Sequence, residues 1–372
     1  MGQPLSLLER ARREGTPLVD GERATFVWEG ERPPRLVGDF NRWGEDADVG
    51  GDGMPRWRAE VVAAAEHAVW TLTLTLPRDG YFEYVLQAGH ERLIDPLNPR
   101  RVSNGMGAAN SWFRMSDAAP SPLILRERGA ARGHMTRHLV RGDHLIAGGE
   151  RIVYLYQPPV EAPCPLLVVW DGRDYLRRAR IRQIVENLIA ARRIQPVALA
   201  LVEHGGAARF MEYACSESTL AFLMRHVLPL ARAHLRLADP REGRGDEERA
   251  GAYGALGASM GGLMALYAGL RLPEVFGRVL SQSGAFGLEV AGRDLVVAEL
   301  IRHARPAQAM RPEVWMDCGR YEWLVESNRR THRLLAEHGY AATYHEYAAG
   351  HNYTAWRDDL ARGIEALFPL QG

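Results

Sequence analysis

Along the first third of the chain, apolar and polar positions alternate one by one. Residues 71–76 read Thr-Leu-Thr-Leu-Thr-Leu, the period of two expected of a half-buried strand, whose successive side chains leave opposite faces. Residues 77–80, Pro-Arg-Asp-Gly, spell a turn; residues 81–86 return as a second strand, and residues 23–28 alternate in the same way. Strands with one apolar face need a second sheet to cover it, so this half predicts an all-β, immunoglobulin-like sandwich.

Residues 116–130, with Pro120, Pro122 and Gly129, read as a linker, and beyond them the rhythm changes. Short apolar strands at 166–170, 197–202, 255–257, 279–282 and 314–318 alternate with helical stretches at 175–193, 217–235, 260–270, 323–338 and 353–368. Such alternation predicts an α/β fold, a mainly parallel sheet flanked by helices. The expected organisation is two domains, 1–120 and 121–372, with the charged stretch 239–250 a solvated loop in the second. No internal repeat is visible.

Composition narrows the function classes. The 372 residues are 46% apolar and 25% charged with a formal net charge of zero, which argues against a protein that coats nucleic acid. Every one of the 46 basic residues is arginine, a side chain whose rigid fork suits anionic ligands. Cys164, Cys215 and Cys318 suggest neither a disulfide framework nor a metal site, and none of the 13 histidines lies in an H-E-x-x-H helix. No metal or other cofactor is therefore expected. The first residues lack the basic and apolar regions of a signal peptide, and the apolar run 165–170 is far too short to span a bilayer. A cytoplasmic, soluble protein is the expectation; the oligomeric state is not legible.

One stretch carries chemistry. Gly257-Ala258-Ser259-Met260-Gly261 fits G-x-S-x-G between a small-residue strand and a helix, the setting of a nucleophile elbow whose serine is held at a strained apex above the sheet. A serine hydroxyl needs a base to take its proton. His351, after the strand-like run 343–347 and Ala348-Ala349-Gly350, is that candidate, because the order in this fold is Ser, acid, His. His332, His338 and His345 lie within a helix or a strand. For the acid, Glu322 lies in the turn beyond strand 314–318, and Asp317 lies inside the strand. Glu322 is favoured because it reaches past the sheet edge, and Asp317 stays open as the alternative. Oxyanion-hole donors are expected from the amides of Met260 and Arg173, with Gly172 making the bend. Arg209 and Arg173 are also candidate substrate-binding residues. The alternative for Arg209 is an ion pair with Glu212.

Taken together, these residues resemble the enterochelin (enterobactin) esterase family within the esterase-D-like α/β-hydrolases. The likeness rests on Asp171-Gly172, Arg209-x-x-Glu212 with Leu228-Pro229, Gly257 to Gly262, Gly319-x-x-Glu322, Gly350-His351-Asn352 and Trp356-Arg357. In the first half, Leu36-Val37-Gly38-Asp39-Phe40-Asn41-Arg42-Trp43 and Leu93-Ile94-Asp95-Pro96-Leu97-Asn98-Pro99 are similar to that family's amino-terminal early-set module and to glycogen-binding sandwich modules. The resemblance implies a serine esterase that cleaves ester bonds of a catecholate siderophore to release iron inside the cell. Its expected partner is thus a small-molecule ester, with no nucleic acid and no membrane. A carbohydrate or general acyl esterase is the alternative, with Trp43, Trp57 and Trp70 as sugar-stacking candidates. A catalytically silent binding protein on the same scaffold is the third reading.

Overall fold

The computed structural model describes residues 5–44, 58–60, 68–240, 249–286, 294–304 and 307–370. Trp57 and most of the charged loop expected at 239–250 lie outside them. The chain forms two compact units: Met1–Pro120 with Gly319–Trp323 and Tyr347–Ala355, and Ser121–Cys318 with Leu324–Glu346 and Trp356–Gly372.

The first unit begins with helix α1 (Leu7–Glu14), started by a capping box in which the Ser6 hydroxyl and the Glu9 carboxylate satisfy each other's backbone amides. Two antiparallel sheets follow. One orders β1 (Leu18–Asp20), β2 (Arg23–Glu29), β5 (Val69–Thr75) and β4 (Arg58–Glu60) as β1-β2-β5-β4. The other contains β3 (Arg35–Gly38), β6 (Tyr81–Ala88), β9 (Ala109–Arg114) and β8 (Arg101–Ser103), with β7 (Glu91–Leu93) beside β6. The alternation of residues 71–76 is realised as Leu72, Leu74 and Leu76 buried and Thr75 exposed. From the first sheet, Ala24, Phe26, Leu72 and Leu74 meet Leu36, Phe82, Tyr84 and Phe113 of the second in one core. Phe26 stands edge-on to both Tyr84 and Phe113, at centroid distances of 5.1 and 5.6 Å, the geometry in which a ring's positive edge meets a negative face.

The second unit is built on an eight-stranded sheet. Its strands are β10 (His134–Arg141), β11 (Glu150–Gln157), β12 (Leu166–Trp170), β13 (Ala198–Val202), β14 (Tyr253–Ala258), β15 (Phe276–Gln282), β16 (Glu313–Gly319) and β17 (Ala342–Tyr347), in the order β10-β11-β13-β12-β14-β15-β16-β17. β10, β11 and β13 pair antiparallel; from β13 through β12, β14 and β15 to β16 all pairings are parallel. The Val314 amide donates to the Ala341 carbonyl, and six residues further along both strands the Arg320 amide donates to that of Tyr347, so β17 also runs parallel to β16. β12, β13 and β14 are buried at every residue, as a sheet covered on both faces requires. This is the mainly parallel α/β sheet that the periodicity predicted, in the α/β-hydrolase arrangement implied by the resemblance.

The helices are α2 (Gly172–Arg177), α3 (Ile181–Ala190), α4 (Arg209–Tyr213), α5 (Glu217–Phe222), α6 (Leu228–His234), α7 (Met260–Arg271), α8 (Asp294–His303), α9 (Val325–Glu337) and α10 (Tyr353–Leu367). Two expectations need correction. The helix read at 175–193 is two helices, because the Asp174 carbonyl takes the amides of both Arg178 and Ala179 and Arg180 turns left-handed with φ 55°. No glycine or proline marks that break. The stretch 116–130 is not a free linker throughout, since Asn187 of α3 donates to the carbonyls of Leu123 and Leu125 at 2.8 and 2.7 Å. Residues 217–235 do run as one helical stretch, with a π-turn at Leu223–Val227 before Pro229, which has no amide to give. Among the described residues no helix is long and apolar enough to cross a membrane, and no group of three or more His, Cys, Asp or Glu is arranged to hold a metal ion.

Candidate active site

Ser259 stands between the end of β14 and the start of α7 with φ 57° and ψ −122°, a region nearly reserved for glycine that costs an ordinary residue about 1–3 kcal/mol. Its neighbours make the turn possible. A Cβ on Gly257 would lie 2.3 Å from the Gly261 backbone, and one on Gly262 would lie 2.7 Å from the Ser281 hydroxyl. The Ser259 amide donates to the Gln282 carbonyl at 2.9 Å, and its carbonyl accepts from Leu263 and Ala285 at 3.1 and 3.0 Å. The backbone is thus fixed on both sides while the serine itself stays part-exposed amid buried neighbours.

At the end of β12, Asp171 is left-handed at φ 56° and opens α2. Gly172 allows the close approach there, because a Cβ would lie 2.5 Å from Leu201 of β13. Met260 and Arg173 both lie in the first turn of their helices, where an amide has no acceptor in its own helix and can face an anion.

Arg209 corrects the sequence reading. Its guanidinium grips the buried Asp171 carboxylate through Nε at 2.7 Å and Nη2 at 2.6 Å, and Nη2 also donates to the Ala258 carbonyl at 3.3 Å. Glu212 is not its partner; that carboxylate pairs with Arg151. Arg209 therefore ties Asp171, at the end of β12, to Ala258, the residue before Ser259. The Arg173 side chain, half-exposed, pairs with Glu203 at 2.8 Å. Burial acts to raise the Glu203 pKa, but hydrogen bonds from Arg173 and Tyr154 hold it below the ordinary carboxylate value.

Glu322 and His351 meet. Nδ1 of His351 lies 2.6 Å from Glu322 Oε2, and the other oxygen, Oε1, accepts from the Gly319 amide at 2.9 Å. A carboxylate only accepts, so Nδ1 is the donor, and in the neutral ring Nε2 then has the lone pair that a general base requires. Glu322 is buried and the His351 side chain is 15% exposed. Gly319 is needed because a Cβ there would lie 2.2 Å from the Ala349 carbonyl. The half-exposed Trp323 ring lies 4.8 Å from the His351 ring, tilted by 38°. Asp317, the competing acid, is fully buried at the end of β16 and accepts from the Gln282 amide at 3.2 Å and the Trp315 indole at 3.3 Å.

Gln282 is a residue that the sequence reading passed over. Its side chain takes the Tyr175 hydroxyl at 2.9 Å and donates to the Trp356 carbonyl at 3.0 Å, while its own carbonyl holds the Ser259 amide. The signal was the polar run Ser281-Gln282-Ser283 directly after the apolar Val279-Leu280 of β15, since buried polar groups need partners. The sugar-stacking candidates Trp43 and Trp70 are partly buried and donate their indole N–H groups to Asp39 and to the Gly30 carbonyl.

An α/β-hydrolase sheet with a strained serine elbow after β14 defines a serine-hydrolase scaffold. The comparisons give the particular family: the model described as "Putative esterase" matches residues 146–367, and the chain belongs to that family. Along its length it is 27% identical to the iron(III) salmochelin esterase of Escherichia coli O6:H1, with 94% of this chain and 88% of that one covered. It is 24% identical to the iron(III) enterobactin esterase of Escherichia coli K12, over 78% and 70% of the two chains. The fold is shared with the enterobactin esterase of Shigella flexneri, crystallised in the presence of enterobactin, at a TM-score of 0.70 and 20% identity over 93% of this chain and 92% of that one.

Proposed function

We propose that this esterase hydrolyses ester bonds of a ferric catecholate siderophore. Ser259 is the nucleophile, His351 the general base and Glu322 the acid that orients it. The Met260 and Arg173 amides serve as the oxyanion hole. The observation that carries the reading is the 2.6 Å contact from His351 Nδ1 to a Glu322 carboxylate already held by the Gly319 amide. It fixes the tautomer a base needs, on loops that follow β16 and β17 in the order expected after the Ser259 elbow. Likeness to salmochelin and enterobactin esterases supports the substrate class.

In this mechanism the Ser259 oxygen attacks the ester carbonyl carbon as its proton passes to His351 Nε2, and the imidazolium so formed is stabilised by Glu322. The carbonyl oxygen gains the negative charge and takes the two amide hydrogen bonds. Collapse breaks the bond to the leaving alkoxide, which receives the proton from His351; water then repeats the sequence on the acyl-enzyme, returning the acid and free Ser259. Phe210 and Met211, 40% and 54% exposed, directly follow Arg209 and offer apolar surface to a bulky ligand.

The test is a hydrolysis panel holding a tricatecholate trilactone with and without ferric iron, a feruloyl sugar and a short aryl ester. The trilactone should have the highest kcat/KM. A feruloyl sugar cleaved faster would transfer the assignment to carbohydrate esters.

A further inference from the structure

The loop that carries His351 folds with the amino-terminal sandwich as one compact unit. The Tyr81 amide of β6 donates to the Ala348 carbonyl at 3.0 Å, and the Tyr321 amide of the acid loop donates to Ala349 at 3.1 Å. Behind the next residue stands a carboxyl group that the triad does not use. Asp39 is 1% exposed, and a Cβ on Gly350 would lie 2.1 Å from its Oδ1. Its Oδ2 accepts from the Glu83 amide at 2.8 Å and from the Asn352 side chain at 3.4 Å, and its Oδ1 accepts from the Trp43 indole at 3.0 Å. Asn352 in turn accepts from the Ala355 amide at 2.9 Å, in the first turn of α10. Both residues flanking His351 therefore rest on one side chain from the first half of the chain.

From this geometry we infer that Asp39 is a positioning residue, which fixes Gly350 and Asn352 so that His351 keeps its bond to Glu322 and its aim. The inference rests on His351 being the base. Burial first, and then the neighbouring Glu83 charge, hold the Asp39 carboxyl well above the ordinary aspartate range. Asp39 thus acts by shape and hydrogen bonding more than by charge. That separates two substitutions. Asp39→Ala leaves space behind Gly350 and frees Asn352, and a displacement of about 1 Å in a catalytic group costs about 100-fold. Asp39→Asn keeps the shape and an oxygen for the Glu83 and Asn352 donors.

The experiment measures kcat and KM on an aryl ester, together with the low-field proton NMR signal of the His351 Nδ1–H. The expected result for folded Asp39→Ala is a fall in kcat of about 10- to 100-fold with little change in KM, and a shifted or broadened Nδ1–H signal. Asp39→Asn should stay within a few-fold of wild type. Wild-type kcat and an unmoved signal in folded Asp39→Ala overturn the inference, as does an equal loss in both variants. If Asp39→Ala does not fold, Gly350→Ala presses a methyl group into the same contact and should lower kcat with the same signature; wild-type turnover there also overturns it. His351→Ala is the control. If it remains active, the base assignment fails, whereas the Nδ1–H signal still reports whether Asp39 holds the imidazole.

Discussion

The proposed nucleophile and the proposed base are supported in different ways. Ser259 sits in a turn that its neighbours Gly257 and Gly262 permit. His351 is held from far along the chain, by Glu322 in another loop and by Asp39 acting on both flanking residues. An elbow is a local steric solution, available wherever a strand must enter a helix around a strained serine. A base needs a partner of particular reach and protonation, and the fold supplies it across large sequence separations. The turn at Ser259 is thus set by residues within a few positions, while the residues flanking the proposed base meet Asp39 from the first half of the chain.

The largest effect should come from the local side of this comparison. Ser259→Ala should lower kcat by about 10⁴- to 10⁶-fold with an unchanged melting curve, and near-normal turnover would remove the elbow from the mechanism. On the long-range side, Glu322→Gln should cost about 10²- to 10⁴-fold in kcat with KM nearly constant, because the amide cannot replace the acceptor that orients Nδ1–H. A greater loss in Asp317→Asn, with Glu322→Gln nearly silent, would move the acid into the strand.

Arg209→Ala sharpens the contrast next. The substitution leaves the buried Asp171 carboxylate without its guanidinium and loosens the oxyanion loop. It should lower kcat by about 10-fold or more on a ferric tricatecholate and on a small neutral ester alike, since one misplaced oxyanion donor costs up to about 10²–10³. A rise in KM confined to the anionic substrate, shrinking with added salt, would show instead that Arg209 meets the ligand.

The smallest effect is a pH dependence of stability. Because its carboxyl is raised above an ordinary aspartate's 3.8, Asp39 binds a proton in the folded state that the unfolded chain has already released. Its contribution is complete below that value and is lost as pH rises through the raised folded pKa. Glu83 from β6 and Glu322 from the acid loop face it with like charge; Trp43 and Asn352 face it as donors. Asparagine has no proton to lose. The Tm of wild type minus that of Asp39→Asn should therefore fall as pH is raised above 3.8, and a difference that grows with rising pH would contradict the assignment.

By itself the sequence determined what depends on a few neighbouring residues. The alternation at 71–76 became a half-buried strand, the short apolar runs became buried strands of a mainly parallel sheet, and the glycines about Ser259 defined an elbow. Each follows from sterics and periodicity acting within a turn or a strand. Only the tertiary structure shows which of the carboxylates and which of the partners meet. Glu322 and Asp317 are both acids near the end of one strand, and it is Glu322 whose carboxylate meets His351, 29 residues away. Arg209 passes over Glu212, three positions on, for Asp171, 38 positions back. Asp39 reaches Asn352 across 313 residues. A buried charge or amide is stabilised by whichever complementary group the packed chain brings within hydrogen-bond distance, and that distance is a property of the assembled sheets.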